Sequence, residues 1–388
     1  MALPLSYNFR NLRVRKTTTV LTALGISLTV AVLLGILAMV GGLKSALSST
    51  GHPLNLIVMR KNSSSELISQ IPREALTSIR FKEGIQKLPN GEPMVSGEIV
   101  TVISLPGKGD PEGSNVTVRG VSEIGIKMRS EVTIGSGRWF QPGQREVVAG
   151  RAVESRYQGA SLGDSIRFGH GDWKIVGILD ARKSAFESEI WGDLNQIAAD
   201  FNRNDLLSSA LVRAIDPAAL QALTNSMSDD QRLYLEGKTE SDYYAQQTNS
   251  GRPVQFLGVF VAVIMAVGSC FAAMNTMYAA VARRSREIGT LRVLGFSRNS
   301  ILISFVVESL LLSLLGGLIG VLLVLPLNGL ESGIGNNVTF SQTGFDFKIT
   351  PAIIAFGISF ASIMGILGGL LPARTASKSD ILNALREL

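Results

Sequence analysis

One cysteine and two histidines are all the thiol and imidazole chemistry that this sequence of 388 residues carries. A single thiol cannot close an intramolecular disulfide, and Cys270 lies within an apolar run, where it reads as a small packing residue. His52 and His170 have no Cys or Glu beside them at metal-ligand spacing, and His170 falls in the turn Gly169-His170-Gly171, so neither a metal centre nor a nucleophile–base pair is built around them. A phosphate-cradling loop is missing too: Gly237-Lys238-Thr239 has Arg232 where such a loop needs glycine. Charged residues make up 18% of the chain and aromatics 6%, against 46% hydrophobic residues, a balance that belongs to membrane proteins.

Long uncharged runs are abundant. Residues 20–43, 256–282 and 351–371 carry no charge, and residues 301–327 carry only Glu308. Each run exceeds the roughly 18 to 20 residues needed to span a bilayer. The first is longer than the apolar core of a cleaved signal peptide, roughly 7 to 15 residues, and is expected to remain as an anchor. Basic residues flanking a span stay in the cytoplasm. Arg10, Arg13, Arg15 and Lys16 precede the first span, and Arg283, Arg284, Arg286, Arg292 and Arg298 lie between the second and third. Residues 44–255 hold 24 basic and 25 acidic side chains, so the net charge of +6 marks topology rather than a nucleic-acid surface. The expected organisation is a cytoplasmic segment 1–19, a span 20–43, an extracytoplasmic domain 44–255, a span 256–282, an inside loop 283–300, a span 301–327, an outside loop 328–348, a span 351–371 and a cytoplasmic tail 372–388. The chain is then a multi-pass protein of the cell inner (cytoplasmic) membrane with both termini in the cytoplasm. The tripeptides Asn115-Val116-Thr117 and Asn337-Val338-Thr339 fit the glycosylation sequon, a pattern common by chance.

The extracytoplasmic region reads as mixed α and β. Strands are expected at 54–60, 95–105, 115–121, 145–149, 165–168, 173–179, 209–214 and 232–235, and helices at 72–88, 193–203 and 217–227. The glycine-punctuated strands between 132 and 180 suggest a β-rich insertion of about 70 residues in an α/β subdomain. Residues 243–252 are expected to form a polar stalk.

The short inside loop carries the most specific pattern. Ile288, Leu291 and Leu294 fall near one face of a short helix flanked by arginines, and Gly295 can end it. A helix in the headgroup layer and a protein-docking helix both fit this pattern. A carboxylate at Glu308, inside a span, costs ~2.5 to 3.5 kcal/mol on insertion scales. It either snorkels to the interface or takes a partner such as an inside-loop arginine. Gly316 with Gly320, and Gly365 with Gly369, permit close helix contact, within the subunit or across a dimer.

Arg286-Glu287-Ile288-Gly289-Thr290-Leu291-Arg292-Val293-Leu294-Gly295, followed by Phe305-Val306-Val307-Glu308 and Gly316, Gly317 and Gly320, resembles the signature of the FtsX-like, MacB-like ABC permeases. Asn11-Leu12-Arg13-Val14-Arg15-Lys16 resembles the family's opening. Leu371-Pro372-Ala373-Arg374-Thr375-Ala376 and Ala384-Leu385-Arg386 resemble its close. Gly137-Arg138-Trp139-Phe140, Glu146-Val147-Val148, Gly163-Asp164 and Val176-Gly177-Ile178-Leu179 look like its periplasmic core domain. The resemblance implies an α-helical membrane protein with four transmembrane helices plus an α+β extracytoplasmic domain, a ferredoxin-like α/β subdomain with a β-rich insertion. It also implies a dimer of permease chains and separate ABC ATPase subunits that hold ATP and Mg, with no cofactor on this chain. Arg286, Glu287, Ile288, Leu291 and Arg292 would then form the ATPase-coupling helix. The implied function is a permease that moves its outer domain to drive export or extraction of a substrate. Membrane lipid is its surroundings, and a periplasmic membrane-fusion or adaptor protein would accompany export. The alternatives are an ATP-driven regulator of a cell-envelope hydrolase and an ATP-independent receptor or scaffold. The substrate is not legible.

Overall fold

The computed structural model describes residues 14, 16–109, 113–336 and 339–378. Asn11, Leu12, Arg13 and Arg15 of the opening motif, the closing Ala384-Leu385-Arg386 and the sequon asparagine Asn337 lie outside the described residues. The chain divides into two units. One takes the described residues of Met1–Gly41, Pro253–Leu330 and Phe347–Leu388, the other Gly42–Arg252 and Glu331–Asp346.

The first unit is helical. Its elements are the helices Lys16–Ser48, Arg252–Arg283, Arg298–Val324 and Pro351–Lys378, with a short helix Ser285–Val293 between the second and third. Among the described residues, four helices are long and apolar enough to cross a membrane. Val30, Leu34, Val321, Ala361 and Met364 pack in their shared core. Leu28, Phe260, Ile264, Phe271, Leu322 and Ile363 point outward, as a hydrocarbon solvent permits. The fourth helix runs to Lys378 with Pro372 inside it, beyond the expected boundary at 371. Burial of Ala373 and Ala376 against Phe305 and Met277 holds this last stretch helical, although proline removes one backbone donor.

The second unit contains the strands β1 (Asn55–Arg60), β2 (Ile71–Pro72), β3 (Val95–Leu105), β4 (Ser114–Val121), β5 (Thr133–Gly137), β6 (Glu146–Gly150), β7 (Ser165–Phe168), β8 (Gly171–Asp180), β9 (Glu189–Asp193), β10 (Leu206–Leu207), β11 (Ser209–Arg213), β12 (Leu235–Thr239), β13 (Glu331–Asn336) and β14 (Ser341–Asp346). A ten-stranded sheet runs β12-β1-β11-β3-β4-β9-β6-β8-β5, with β7 beside β8. The segment β12-β1-β11-β3 is antiparallel throughout. Helix Ala75–Arg80 lies between β1 and β3, and helix Pro217–Asp229 between β11 and β12. That βαββαβ succession in the spatial order fourth, first, third, second is the ferredoxin-like arrangement. The β-rich insertion extends the same sheet, since β3 pairs with β4 and β4 with β9. Leu56, Ile79, Ile99, Val118, Val147, Trp173, Ile190, Val212 and Leu223 lie in one core.

Several expected elements differ. The helix expected over 72–88 stops at Arg80. Gly84 turns left-handed (φ 86°), and Gln86 donates its amide to Arg213 O at 2.9 Å, so pairing beside β11 outweighs helical spacing. The strand expected at 232–235 begins instead at Leu235. Leu233 and Tyr234 donate to Asp230 O in a turn, and Tyr234 takes a left-handed φ of 51°. The polar stalk is replaced by helix Glu240–Gln247, whose Tyr243 and Tyr244 are buried. The 328–348 loop contains a hairpin, β13 with β14, and Glu331–Asp346 belongs to the large domain.

Candidate functional site

The short helix Ser285–Val293 is pinned by one face. Ile288, 2% exposed, packs with Val281, Ile301, Phe305, Ala373 and Ala376. Leu291 and Arg292 are half-buried, and Arg292 donates from Nη1 to Phe296 O at 3.3 Å. Arg286, Glu287 and Thr290 are exposed, and beyond them Val293 and Leu294 are 62% and 67% exposed. The helix ends at Gly295 in the left-handed region (φ 92°), as a C-terminal glycine allows. Of the five coupling residues expected, the structure therefore turns Ile288 inward and leaves Arg286 and Glu287 at the surface. Val293 was not singled out from the sequence because it falls off the apolar stripe.

Glu308 is buried in the third membrane helix and accepts from Arg284 Nη1 at 3.0 Å, with Arg284 equally buried. The pair ties the start of the short helix to the third membrane helix. Both glycine pairs pack inside the subunit. A Cβ on Gly316 would lie 2.8 Å from Ala23 O, and one on Gly320 would lie 2.8 Å from Ser27 O, so these positions bring the third helix onto the first. Gly365 and Gly369 face Ser313 and Ser309, which brings the fourth helix onto the third.

The large domain holds a charge network absent from the sequence reading. Alternate residues Val95, Ile99 and Ile103 of β3 enter the apolar core, which leaves Glu98 on the other face. There Arg119 of β4 donates to Glu66 (3.0 Å), Glu98 (2.8 Å) and Glu189 of β9 (2.8 Å). Arg129 donates to Glu98 (2.5 Å) and Glu240 (3.0 Å). All six side chains are buried. Tyr243 OH accepts from Glu66 N (3.1 Å), Trp191 Nε1 donates to Glu189 (2.7 Å), and Asn55 Nδ2 and His52 N donate to Glu240. The Arg129 guanidinium lies over the Phe186 and Trp191 rings. Burial pushes the Glu98 carboxyl up, but the Arg129 and Arg119 charges overcome it and hold it below the ordinary range. Burial opposes charge on Arg119 as well, and Glu189 and Glu66 outweigh it and keep the guanidinium protonated. This network joins segments far apart in sequence, and it contains no group poised as a nucleophile. A lone charge in the middle of each of two apolar strands, Glu98 in β3 and Arg119 in β4, was the available signal.

Four membrane helices, a ferredoxin-like domain inserted after the first and a short helix pinned between the second and third define a membrane permease with one large extramembrane domain. The MacB-like periplasmic core domain family matches residues 19–229 and the FtsX-like permease C-terminal family matches residues 259–381; the chain belongs to this family of ABC transporter permeases. It is 25% identical over 394 residues to the uncharacterized ABC transporter permease YknZ of Bacillus subtilis, covering 96% of this chain and 95% of that one. It is 24% identical over 414 residues to the macrolide export ATP-binding/permease protein MacB of Bdellovibrio bacteriovorus, covering 98% of this chain and 61% of the relative. The MacB of Wolinella succinogenes is 28% identical over 408 residues, with 97% and 59% covered. The chain thus spans about three fifths of these MacB relatives. Two solved structures are also similar at 13% identity. They are the extracellular domain of YknZ (TM-score 0.36, 48% of this chain and 100% of that one) and the periplasmic region of MacB from Actinobacillus actinomycetemcomitans (TM-score 0.37, 50% and 92%).

Proposed function

We propose that this permease passes the energy of ATP hydrolysis by a separate cytoplasmic ABC ATPase, which holds ATP and Mg, to its large domain outside the inner membrane. Two permease copies form the working unit, and movement of their domains drives export or extraction of a substrate. The observation that carries this reading is the face of the short helix. A helix lying in lipid would turn its apolar stripe to the acyl chains, whereas Ile288 is committed to the helical bundle. What remains exposed is Val293 and Leu294 beside Arg286, Glu287 and Thr290, a small apolar tip with charges of both signs, which suits a protein partner.

The test uses the full chain with whichever ABC ATPase copurifies with the wild type. Leu294→Asp places an unpaired charge in the docking contact without touching the core, and Glu287→Lys reverses a charge there. Both variants are expected to insert and fold normally, to lose most of the copurifying ATPase and to abolish transport. Ile288→Asp is unsuitable, because it would disrupt the permease itself. Wild-type ATPase recovery and transport in Leu294→Asp and Glu287→Lys together would overturn the reading.

A further inference from the structure

Within the large domain, a cavity of about 390 Å³ lies between the docked hairpin β13–β14 and the turn that follows β8. Most of its charged lining is spoken for. Arg151 pairs with Asp180 at 2.8 Å, Lys183 pairs with Asp346, and one Glu187 oxygen accepts the amides of Ala181 (3.0 Å) and Lys183 (2.8 Å). Three lining groups keep capacity. Ser184 is 3% exposed, yet its hydroxyl has no hydrogen-bond partner. Among the described residues neither Arg182 nor Arg156 makes a salt bridge, but Arg156 donates to Gln342 Oε1, whereas the exposed Arg182 guanidinium has no side-chain partner. Glu331, also exposed, accepts from the Ser155 hydroxyl at 3.0 Å and makes no salt bridge, although its charge, after that of Asp346, helps hold Lys183 protonated. An unsatisfied buried hydroxyl is costly unless something fills its place. The turn is preset as well: Arg182 and Lys183 both hold left-handed backbones (φ 52° and 62°), a conformation kept only where the surroundings impose it.

We propose that this cavity binds a small zwitterionic phosphodiester, with its anionic group on Ser184 and Arg182 and its ammonium group on Glu331. An anion alone gains little here, because the lining holds four basic and four acidic side chains; a ligand charged at both ends uses both uncommitted groups. The cavity has room for a phosphoethanolamine head group with its glycerol and for ordered water beside it, and its volume falls in the ordinary range of small-molecule sites, roughly 300 to 1,000 Å³. The hairpin's ends, Glu331 and Asp346, are joined to the third and fourth membrane helices through residues 328–330 and 347–350. An amino phospholipid head group and its soluble glycerol ester share this chemistry. The site does not depend on the ATPase-docking reading.

The experiment is titration calorimetry and thermal melting of the delipidated full chain in detergent, with glycerophosphoethanolamine, inorganic phosphate and ethanolamine as probes. Glycerophosphoethanolamine is expected to bind and to raise the melting temperature by mass action, while phosphate and ethanolamine bind at least about tenfold more weakly, each lacking one charge-assisted contact. Arg182→Gln and Glu331→Gln should each weaken binding by about tenfold or more. Ser184→Ala should weaken it while leaving the ligand-free melting temperature unchanged or raised, because it removes an orphan hydroxyl. In nanodiscs, competition by phosphatidylethanolamine and not by phosphatidylglycerol would assign the ligand as a lipid head group, and lack of competition would assign the soluble ester. Absent binding of glycerophosphoethanolamine, equal binding of phosphate alone, or binding unchanged in all three variants would overturn the proposal.

Discussion

Arg119 is the side chain on which most of the buried network turns. Its guanidinium reaches three carboxylates from three separate segments, Glu66, Glu98 and Glu189, and it is 2% exposed. Removing one member of a buried ionic network leaves the others uncompensated, at a cost of about 3 to 5 kcal/mol. Arg119→Met is therefore expected to lower the melting temperature of the large domain by about 10 °C, at about 2 to 4 °C per kcal/mol. The readout is intrinsic fluorescence of the full chain, since its three tryptophans, Trp139, Trp173 and Trp191, all lie in this domain. A melting temperature within about 2 °C of wild type would show that the network contributes little. The same network sets an acid limit. The Glu98 carboxyl lies below its ordinary range in the folded state, so its stabilisation is complete above the ordinary pKa of about 4.3 and disappears as pH falls through the lower folded value. Stability should be flat with respect to this group from pH 5 to 8 and fall in strong acid, and Glu98→Gln, although less stable at neutral pH, should show a shallower acid limb.

Between helices, the closest approach is set by glycine, beside a core of apolar side chains that the helices share. The fourth helix approaches the third where Gly365 and Gly369 meet Ser313 and Ser309, leaving no room for even a methyl group. In a bilayer, close approach of backbones substitutes for the hydrophobic drive that lipid removes. Gly369→Val is expected to reduce folded yield and detergent-state melting temperature sharply, and Ser309→Gly combined with Gly369→Ala should recover most of the loss left by Gly369→Ala alone. Gly25→Ala, where a new Cβ meets nothing within 4 Å, is the control and should melt as wild type. Because alanine favours the helix at both positions, equal damage from Gly25→Ala and Gly369→Ala would show that the loss does not come from the contact of Gly369 with Ser309. These glycines were visible in the sequence as four-residue spacings; which helix each one faces was not, because spacing gives a face and not its neighbour. The same limit applies to the short helix. The stripe of Ile288 and Leu291 was legible, but whether bundle or partner covers it depended on Ile301, Phe305, Ala373 and Ala376, distant in sequence. The apolar runs and the alternating strands β3 and β4 were legible because one solvent acts on each uniformly. The hairpin β13–β14 was not, since its ESGIGN and SQTGFD strands have no apolar alternation and take their form from docking onto the large domain.

That hairpin changes how the molecule is connected. The chain crosses between the two units four times, at Gly41–Gly42, Arg252–Pro253, Leu330–Glu331 and Asp346–Phe347, so each membrane helix has a covalent link to the large domain. An insertion between the first two spans alone would supply only two such links. The domain's integrity should accordingly depend on a segment outside its main stretch. Asn336 donates to Gln247 Oε1 at 2.9 Å, Asn115 to Phe340 O at 2.9 Å, Thr117 to Ser341 Oγ at 2.8 Å and the Gly344 amide to Ser188 Oγ at 2.7 Å. At about 0.5 to 1.5 kcal/mol net for each bond, these four docking bonds are worth on the order of a few kcal/mol. Residues 42–252 expressed alone retain the ten-stranded sheet and its core, so they are expected to fold cooperatively in solution. They should melt about 5 to 10 °C below the same fragment carrying residues 331–346 on a flexible linker. Breaking the docking within the linked version, by Asn336→Ala with Thr117→Val, should remove a good part of that difference while leaving the isolated fragment, in which Thr117 has lost Ser341, nearly unaffected by Thr117→Val. Calorimetry of the four proteins separates the outcomes. If the two unmutated fragments melt together, the hairpin rests on the domain without stabilising it, and the third and fourth helices would have no energetic hold on the domain through this segment.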